Sequence, residues 1–168
     1  MKLTILVVIL ISLLAVPAFA IYVPSDGTTV VAQVATGLYD IYASGTFFFS
    51  YPGHLGEYAD AEWSRHMTGE WTEEWATNNN DLSVNGTFWD WKGLLPDGTY
   101  AEHAFSDAHI YKLRVYVENE FRFAIYDTNY NDNVGGLDVR IEAVPEPSSL
   151  LALGTLISPI VFLKWRRK

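Results

Sequence analysis

Alternation of apolar and polar residues is clearest in the last third of the chain. Apolar side chains occupy every second position over the segments Tyr111–Val117, Phe121–Ile125 and Leu137–Ile141. A period of two predicts strands with one buried face and one solvent-exposed face. Asn119 marks a turn between the first two segments, so we expect them to form an antiparallel hairpin with one wet face.

Shorter apolar runs predict further strands earlier in the chain. Asn85-Gly86 separates two such runs and is a strong hairpin signal, and Pro52-Gly53 and Asp97-Gly98 also mark turns. Residues 59–76 fit a helix or a structured loop, and we prefer the loop. About eight short strands predict an all-β chain folded as an antiparallel β-sandwich. The early predicted strands are Thr28–Val34, Leu38–Ala43, Thr46–Tyr51, Leu82–Val84 and Phe88–Trp91.

The N-terminus has the pattern of a secretion signal. Lys2 precedes an apolar run from Leu3 to Val16, Pro17 ends the run, and Ala18-Phe19-Ala20 has small residues at the two positions that a signal peptidase reads. The apolar run is shorter than the roughly 20 residues of a membrane-spanning helix, which disfavours a retained anchor. We therefore predict a signal peptide at residues 1–20 and a mature chain that begins at Ile21.

The C-terminus has three successive parts over residues 144–168. Pro145-Glu146-Pro147 must be extended, because each proline disfavours the α conformation at the residue before it. The apolar segment 150–163 predicts a transmembrane helix, and the basic residues after it predict a cytoplasmic end. The body of the chain is then expected outside the inner membrane.

These three parts resemble the PEP-CTERM sorting signal. The resemblance covers about 25 residues and says nothing about the domain before them. It implies recognition by an exosortase, removal of the tail, and release to the surface or extracellular matrix of a Gram-negative bacterium that makes exopolysaccharide and biofilm. The alternative is an ordinary single-pass anchor that follows a Pro-Glu-Pro linker.

Composition narrows the function of the domain at residues 21–143. The whole chain has a net charge of −9, and the domain is more acidic because five of the eleven basic residues lie in the two terminal segments. The negative charge disfavours nucleic acid as a partner, because its phosphates require a basic surface. The same charge is compatible with binding of divalent cations or simply with solubility outside the cell. The chain has no cysteine, which excludes disulfides, thiol catalysis and thiolate zinc sites.

The segment from Asp127 to Gly136 is rich in candidate metal ligands. Half of its ten residues are Asp or Asn, and two glycines end it. Carboxylate and amide oxygens on a tight turn are the ligands that Ca²⁺ prefers, although the spacing is not that of an EF-hand. The same residues are also ordinary turn formers. The loop alone therefore leaves a calcium site and a plain turn equally open.

A second resemblance concerns the domain itself. The segments Ala43–Tyr51, Asp127–Gly135 and Leu137–Ile141 are similar to the anchor motifs of small calcium-dependent galactose-binding lectins of bacteria. That resemblance implies a jelly-roll or galactose-binding-like β-sandwich. It also implies that the ion would be bound by the backbone carbonyl of Tyr51 and the side chains of Asp127, Asp132 and Asn133.

The resemblance carries sugar binding over less directly than calcium binding. The loop between Asp127 and Asp132 is two residues shorter than the lectin pattern, so one backbone ligand has no clear equivalent. The sugar-contacting residues of the lectins lack secure counterparts, and His54, Asp60 and Glu62 lie in the corresponding region. These three residues are the candidate carbohydrate contacts.

Other chemistry has weaker support in the sequence. Glu73-Glu74 lies between two tryptophans, but adjacent carboxylates seldom face each other across a glycosidic bond, and the four histidines lack a metal-binding spacing. Trp89 and Trp91 are the tryptophans that we expect to be exposed. We expect a non-enzymatic surface or matrix protein that binds calcium and exopolysaccharide. The alternatives are a purely structural surface protein and, third, a secreted carbohydrate-active enzyme.

Overall fold

The protein is all-β wherever its structure is described. The computed structural model describes residues 18–49, 57–65, 69–73, 81–127 and 129–145. These residues form fourteen strands and one turn of 3-10 helix, and none forms a helix long and apolar enough to cross a membrane. The strands are β1 (Ala18–Pro24), β2 (Val30–Gln33), β3 (Gly37–Ser44), β4 (Phe47–Phe48), β5 (Tyr58–Ala59), β6 (Trp63–Arg65), β7 (Thr72–Glu73), β8 (Leu82–Val84), β9 (Thr87–Phe88), β10 (Lys92–Leu94), β11 (Tyr100–Glu102), β12 (Ile110–Val117), β13 (Glu120–Ile125) and β14 (Val134–Ala143).

Within the described ranges these strands form two antiparallel sheets. The larger sheet has the order β11-β10-β12-β3-β14-β4-β5-β6-β7, with β1 paired to β14, and it curls into a half-barrel. The smaller sheet has the order β2-β13-β8-β9. The predicted all-β, antiparallel, sandwich-like architecture is therefore confirmed.

Strand β14 pairs along both of its edges. β1 lies on one edge, with Pro24 opposite Gly136, and β3 and β4 follow one another along the other edge. A side chain at Gly136 would place its Cβ 2.2 Å from the carbonyl oxygen of Val23, so glycine is required where β1 approaches. The buried side chains Leu137, Val139 and Ile141 fix the face that this strand turns to the core.

The described residues pack into an apolar core that joins the two sheets. Tyr39 on β3 meets Phe121 on β13 edge to face, with ring centroids 5.4 Å apart. The rings of Phe121 and Phe123 stack at 5.4 Å. Edge-to-face and offset aromatic pairs are favourable beyond the area that they bury, which explains part of the high aromatic content. The largest fully buried side chains are Trp91, Tyr111, Phe47, Phe121, Phe123, Ile41, Leu82 and Ile125.

The hairpin predicted at Asn85-Gly86 is confirmed. β8 and β9 pair with Ser83 opposite Phe88 and Val84 opposite Thr87. Both turn residues have positive φ, 54° for Asn85 and 72° for Gly86. That combination is the type I′ geometry, which matches the twist of the flanking strands. Gly98, with φ of 84°, likewise forms the turn predicted at Asp97-Gly98.

The hairpin predicted between residues 110–117 and 121–125 is wrong, although both strands exist. β12 pairs with β3 and β10 in the larger sheet, whereas β13 pairs with β2 and β8 in the smaller one. The short connection at Glu118–Asn119 therefore crosses between the sheets. Alternation identifies which face of a strand is buried but not which strand lies beside it, so the pattern could not distinguish a hairpin from this crossing.

The predicted exposure of the tryptophan pair is correct for Trp89 and wrong for Trp91. Trp89 is 38% exposed, whereas Trp91 is 1% exposed. β9 ends at Phe88 and β10 begins at Lys92, so the period of two does not extend across this connection. The described residues of the region 59–76 belong to β5, β6, β7 and their connections, and none of them forms a helix. This outcome agrees with our preference for a loop over a helix, but the three short strands were not predicted.

Several predictions concern residues outside the described ranges. They include the signal peptide through Pro17, the turn at Pro52-Gly53, and the tail from Glu146 onward with its apolar segment 150–163. Ala18-Phe19-Ala20, the predicted peptidase site, occupies the first three positions of β1. Pro145, the first residue of the predicted sorting motif, is exposed two residues after the end of β14.

Candidate functional site

The loop rich in Asp and Asn joins the two sheets. It follows β13 in the smaller sheet and leads into β14 in the larger one. A turn of 3-10 helix spans Tyr130–Asp132, and the side chain of Asn129 caps it by accepting a hydrogen bond from the backbone N–H of Asn131. The loop is therefore an ordered connection held at both ends by paired strands.

Hydrogen bonds within the loop fold its acidic side chains inward. The backbone N–H of Asn129 donates to Asp127 Oδ1 at 3.3 Å, and Asn129 Nδ2 donates to Asp132 Oδ2 at 2.8 Å. The first contact is an Asx turn, which Asp forms readily. Each carboxylate thus uses one oxygen to hold the turn.

Three other side-chain oxygens of the loop are buried. Asp127 Oδ2, Asp132 Oδ1 and Asn133 Oδ1 have almost no exposed surface, and among the described residues no donor reaches Asp132 Oδ1 or Asn133 Oδ1. Asn133 Nδ2 donates to the carbonyl oxygen of Ser25 at 2.7 Å, which fixes the orientation of its amide. Leaving a buried acceptor unsatisfied costs about 1–3 kcal/mol, so these oxygens fit a bound cation.

The segment after β1 holds the loop from the other side. Ser25 donates to the carbonyl oxygen of Gly135 from its backbone nitrogen at 3.0 Å and from its hydroxyl at 3.1 Å. Gly27 lies against the ring of Tyr130, where a Cβ would come within 3.1 Å of the ring, and its φ of 83° also disfavours other residues. Sequence reasoning missed this contact because about 110 residues separate Ser25 from the loop, and no local pattern marks such a pairing.

The predicted site residues are brought together in part. Asp127, Asp132 and Asn133 lie in one loop, which follows from their closeness in the sequence, and their predicted role as calcium ligands stays a prediction. Tyr51 and His54 lie outside the described residues, so their predicted contacts with calcium and carbohydrate stay predictions. Of the other candidate carbohydrate contacts, Asp60 is completely buried and Glu62 is 7% exposed.

Asp60 organises a buried turn rather than a surface. Its Oδ1 accepts hydrogen bonds from the backbone nitrogens of Glu62 at 3.0 Å and Trp63 at 2.8 Å. Its Oδ2 accepts from Tyr111 Oη at 2.7 Å and lies 2.9 Å from His109 Nδ1. In this arrangement both oxygens are engaged, so the carboxylate is not presented to a ligand on the surface.

The comparisons with known proteins give no relative. No protein-family model, curated protein or solved structure matches this chain. Because a fold alone does not determine function, the functional argument depends on the residues of the site.

The hydrogen bond from Tyr111 to Asp60 predicts a pH-dependent contribution to stability. Burial and the nearby Asp60 carboxylate raise the pKa of Tyr111 above its usual value. We expect Tyr111→Phe to lower the free energy of unfolding at pH 7 by about 1.5–3 kcal/mol, because the bond has a charged acceptor. The contribution is complete below the unfolded pKa of about 10 and declines as the pH rises above it.

Urea denaturation at pH 7 and above pH 10 measures this contribution. The stability difference between wild type and Tyr111→Phe should narrow at the higher pH. Tyr116→Phe on the same strand is the matched control, because Tyr116 is 61% exposed and should give little change at either pH. Equal stability of Tyr111→Phe and wild type at pH 7 would show that the bond contributes nothing.

Proposed function

We propose that this chain is an exported, non-enzymatic surface or biofilm-matrix protein whose β-sandwich domain binds Ca²⁺ in the loop at residues 127–133. The observation that carries this proposal is the pair of buried oxygens, Asp132 Oδ1 and Asn133 Oδ1, which no donor reaches among the described residues. The side chain of Asp127 completes the set from the described loop, and the backbone carbonyl of Tyr51 is the expected further ligand.

The chemistry of the loop favours calcium over softer metals. All of its candidate ligand atoms are oxygens, and the loop has no histidine, while the whole chain has no cysteine. Ca²⁺ accepts six to eight oxygen ligands at flexible geometry, with water completing the shell. Neutralising buried carboxylates would stabilise the connection between the two sheets, because the ion binds the folded chain and not the unfolded one.

The strand boundaries are compatible with processing at the C-terminal end, whereas the predicted N-terminal cleavage point lies within β1. Cleavage after Ala20 would leave Ile21–Pro24 paired with Gly136–Val139 of β14. At the other end, β14 stops at Ala143, and the last backbone hydrogen bond among the residues described up to Pro145 runs from the Val144 nitrogen to the Leu38 carbonyl. An exosortase would therefore act outside the folded body, with the tail held transiently in the inner membrane, whereas a signal peptidase would have to cleave before Ala18–Ala20 pair with β14.

Carbohydrate binding is the second candidate function, and the position of Tyr126 favours it. Tyr126 is 44% exposed and directly precedes Asp127. Its ring packs edge to face on that of Phe88, with centroids 5.7 Å apart, and this contact limits the orientations that the Tyr126 ring adopts. An exposed aromatic face beside a cation site suits a sugar ring of an exopolysaccharide, as a jelly-roll or galactose-binding-like domain would present it.

A purely structural surface protein is the alternative without a ligand. In that case the hydrogen bonds of Asn129 to Asp127 and Asp132 serve only to hold a turn. The calcium-binding protein and the purely structural protein differ in one measurable property, which is whether calcium stabilises the domain.

Calcium titration of the full chain in nonionic detergent tests the proposed site. We expect one binding event by calorimetry and a higher thermal unfolding midpoint, because saturating ligand at 100 times Kd adds about 2.7 kcal/mol of stability. Asp127→Ala and Asp132→Ala should abolish the heat. Asp138→Ala is the matched control, since Asp138 is exposed on β14 outside the loop. If adding calcium to the wild-type chain gives no heat, the purely structural alternative is the one that stands.

Processing predicts two new chain ends in the producing bacterium. Mass spectrometry of the surface or matrix fraction should find an N-terminus at Ile21 and no peptides from the segment 150–168. Replacing Glu146 in the sorting motif with alanine should leave the tail attached and the protein in the inner membrane. Recovery of the chain from the cytosol with Met1 and Lys168 intact would contradict export.

Calcium-dependent sugar binding predicts a specific loss on removing Tyr126. Wild-type protein should bind the exopolysaccharide of the producing cells in calcium and not in chelator, and Tyr126→Ala should weaken binding by roughly 0.5–1.5 kcal/mol, the range of an aromatic contact. Tyr22→Ala is the control, because Tyr22 is 52% exposed on β1. Equal binding by the two variants would remove Tyr126 from the sugar contact.

A further inference from the structure

Three side chains of metal-ligating types, from segments other than the loop at residues 127–133, come close together. One carboxylate oxygen each of Glu62 and Asp90 and one ring nitrogen of His103 all lie within 4.8 Å of one another. Glu62 belongs to the turn before β6, Asp90 precedes β10, and His103 follows β11. Residues from three separate segments are thus brought to one point by the tertiary structure.

The register of the larger sheet explains why two of these residues are neighbours. β10 and β11 pair with Lys92 opposite Glu102. Continuing that antiparallel register by one residue places Trp91 opposite His103, and Asp90 is the next residue along. Trp91 is 1% exposed, so the chain beside Asp90 is anchored in the core.

The third residue is held by the Asp60 turn. The backbone N–H of Glu62 donates to Asp60 Oδ1 at 3.0 Å, and the Glu62 side chain is buried at 7% exposure. His103 adopts a left-handed backbone conformation, with φ of 51°. The position of each residue is therefore set by its own backbone environment and not by a shared loop.

The electrostatics of the cluster favour a bound cation. Two carboxylates within 4.8 Å repel each other, and the repulsion is stronger where one of them is buried. A divalent cation would neutralise both charges, and a neutral imidazole would add a third bond. This arrangement has the composition of a metal site with three protein ligands.

We propose that Glu62, Asp90 and His103 form a zinc-binding site that is distinct from the calcium loop. An imidazole nitrogen favours Zn²⁺, whereas Ca²⁺ prefers oxygen ligands throughout. Water would occupy the open fourth position, as in other zinc sites with three protein ligands. The ion would link the turn before β6 to the base of the β10–β11 hairpin.

Calorimetric titration of the full chain with ZnCl₂ tests this site. The protein is purified in nonionic detergent without a polyhistidine tag and treated with chelator beforehand. We expect one zinc ion per chain. A titration in the presence of saturating calcium should give the same result.

Two variants remove ligands, and one removes a neighbouring charge. His103→Asn retains a residue that tolerates the left-handed conformation, and Glu62→Gln keeps the side-chain size. Each should weaken zinc binding about tenfold or more, by comparison with the 10–100-fold losses caused by second-shell changes. Glu102→Gln is the matched control, because Glu102 is an exposed carboxylate beside His103 that pairs with Lys92 at 2.8 Å.

The outcomes distinguish this site from the calcium loop. Loss of zinc binding in His103→Asn with retention in Glu102→Gln and Asp132→Ala supports the proposal. Circular dichroism checks folding, and if Glu62→Gln fails to fold, His103→Asn decides. Absence of zinc binding, wild-type affinity in His103→Asn, or equal loss in Glu102→Gln would overturn the zinc site without affecting the calcium proposal.

Discussion

Pairing of β14 along both of its edges is the constraint on which the rest of the structure depends. Its core-facing residues Leu137, Val139 and Ile141 are completely buried. A shift of one residue in register would turn all three toward solvent, so the register is strongly fixed. The same register places Gly135 within hydrogen-bonding distance of Ser25. Apolar burial in the sheet thus determines the position of the polar loop that precedes it.

That coupling explains how a loop with buried oxygens can be maintained. Asp132 and Asn133 direct oxygens into the protein in a region where an isolated turn would leave them in water. Burial of such atoms is unfavourable without a partner. The paired strands at both ends of the loop keep it in place despite this cost. A bound cation would make the burial of these oxygens stabilising instead of destabilising. The proposed function follows from that balance rather than from the acidic composition of the chain.

Local patterns in the sequence predicted local features well. Alternation identified β12, β13 and β14 because each has one buried face, and the Asn85-Gly86 turn was predicted because few residues adopt its positive φ angles. The concentration of Asp and Asn identified the candidate loop. Each of these features is encoded within about ten consecutive residues.

Features that depend on distant contacts could not be predicted from the sequence. The placement of β12 and β13 in different sheets depends on their partners β3 and β8. The contact of Ser25 with Gly135 and the burial of Asp60 beside Tyr111 likewise join segments far apart in the chain. Asp60 was predicted to contact a sugar because it lies in the region that corresponds to the sugar-contacting residues of the lectins, but in the tertiary structure its carboxylate is buried and accepts hydrogen bonds from Glu62, Trp63 and Tyr111.

Hydrogen exchange of backbone amides with and without calcium tests the account most directly. An ion bound to the loop should slow exchange at Asp127–Gly135 and at Ser25, whose amide is hydrogen-bonded to Gly135. The Asn85-Gly86 hairpin should exchange at an unchanged rate, because it supplies none of the proposed ligands. Slowing that is uniform along the chain, or no slowing in the loop at saturating calcium, would contradict the proposed site.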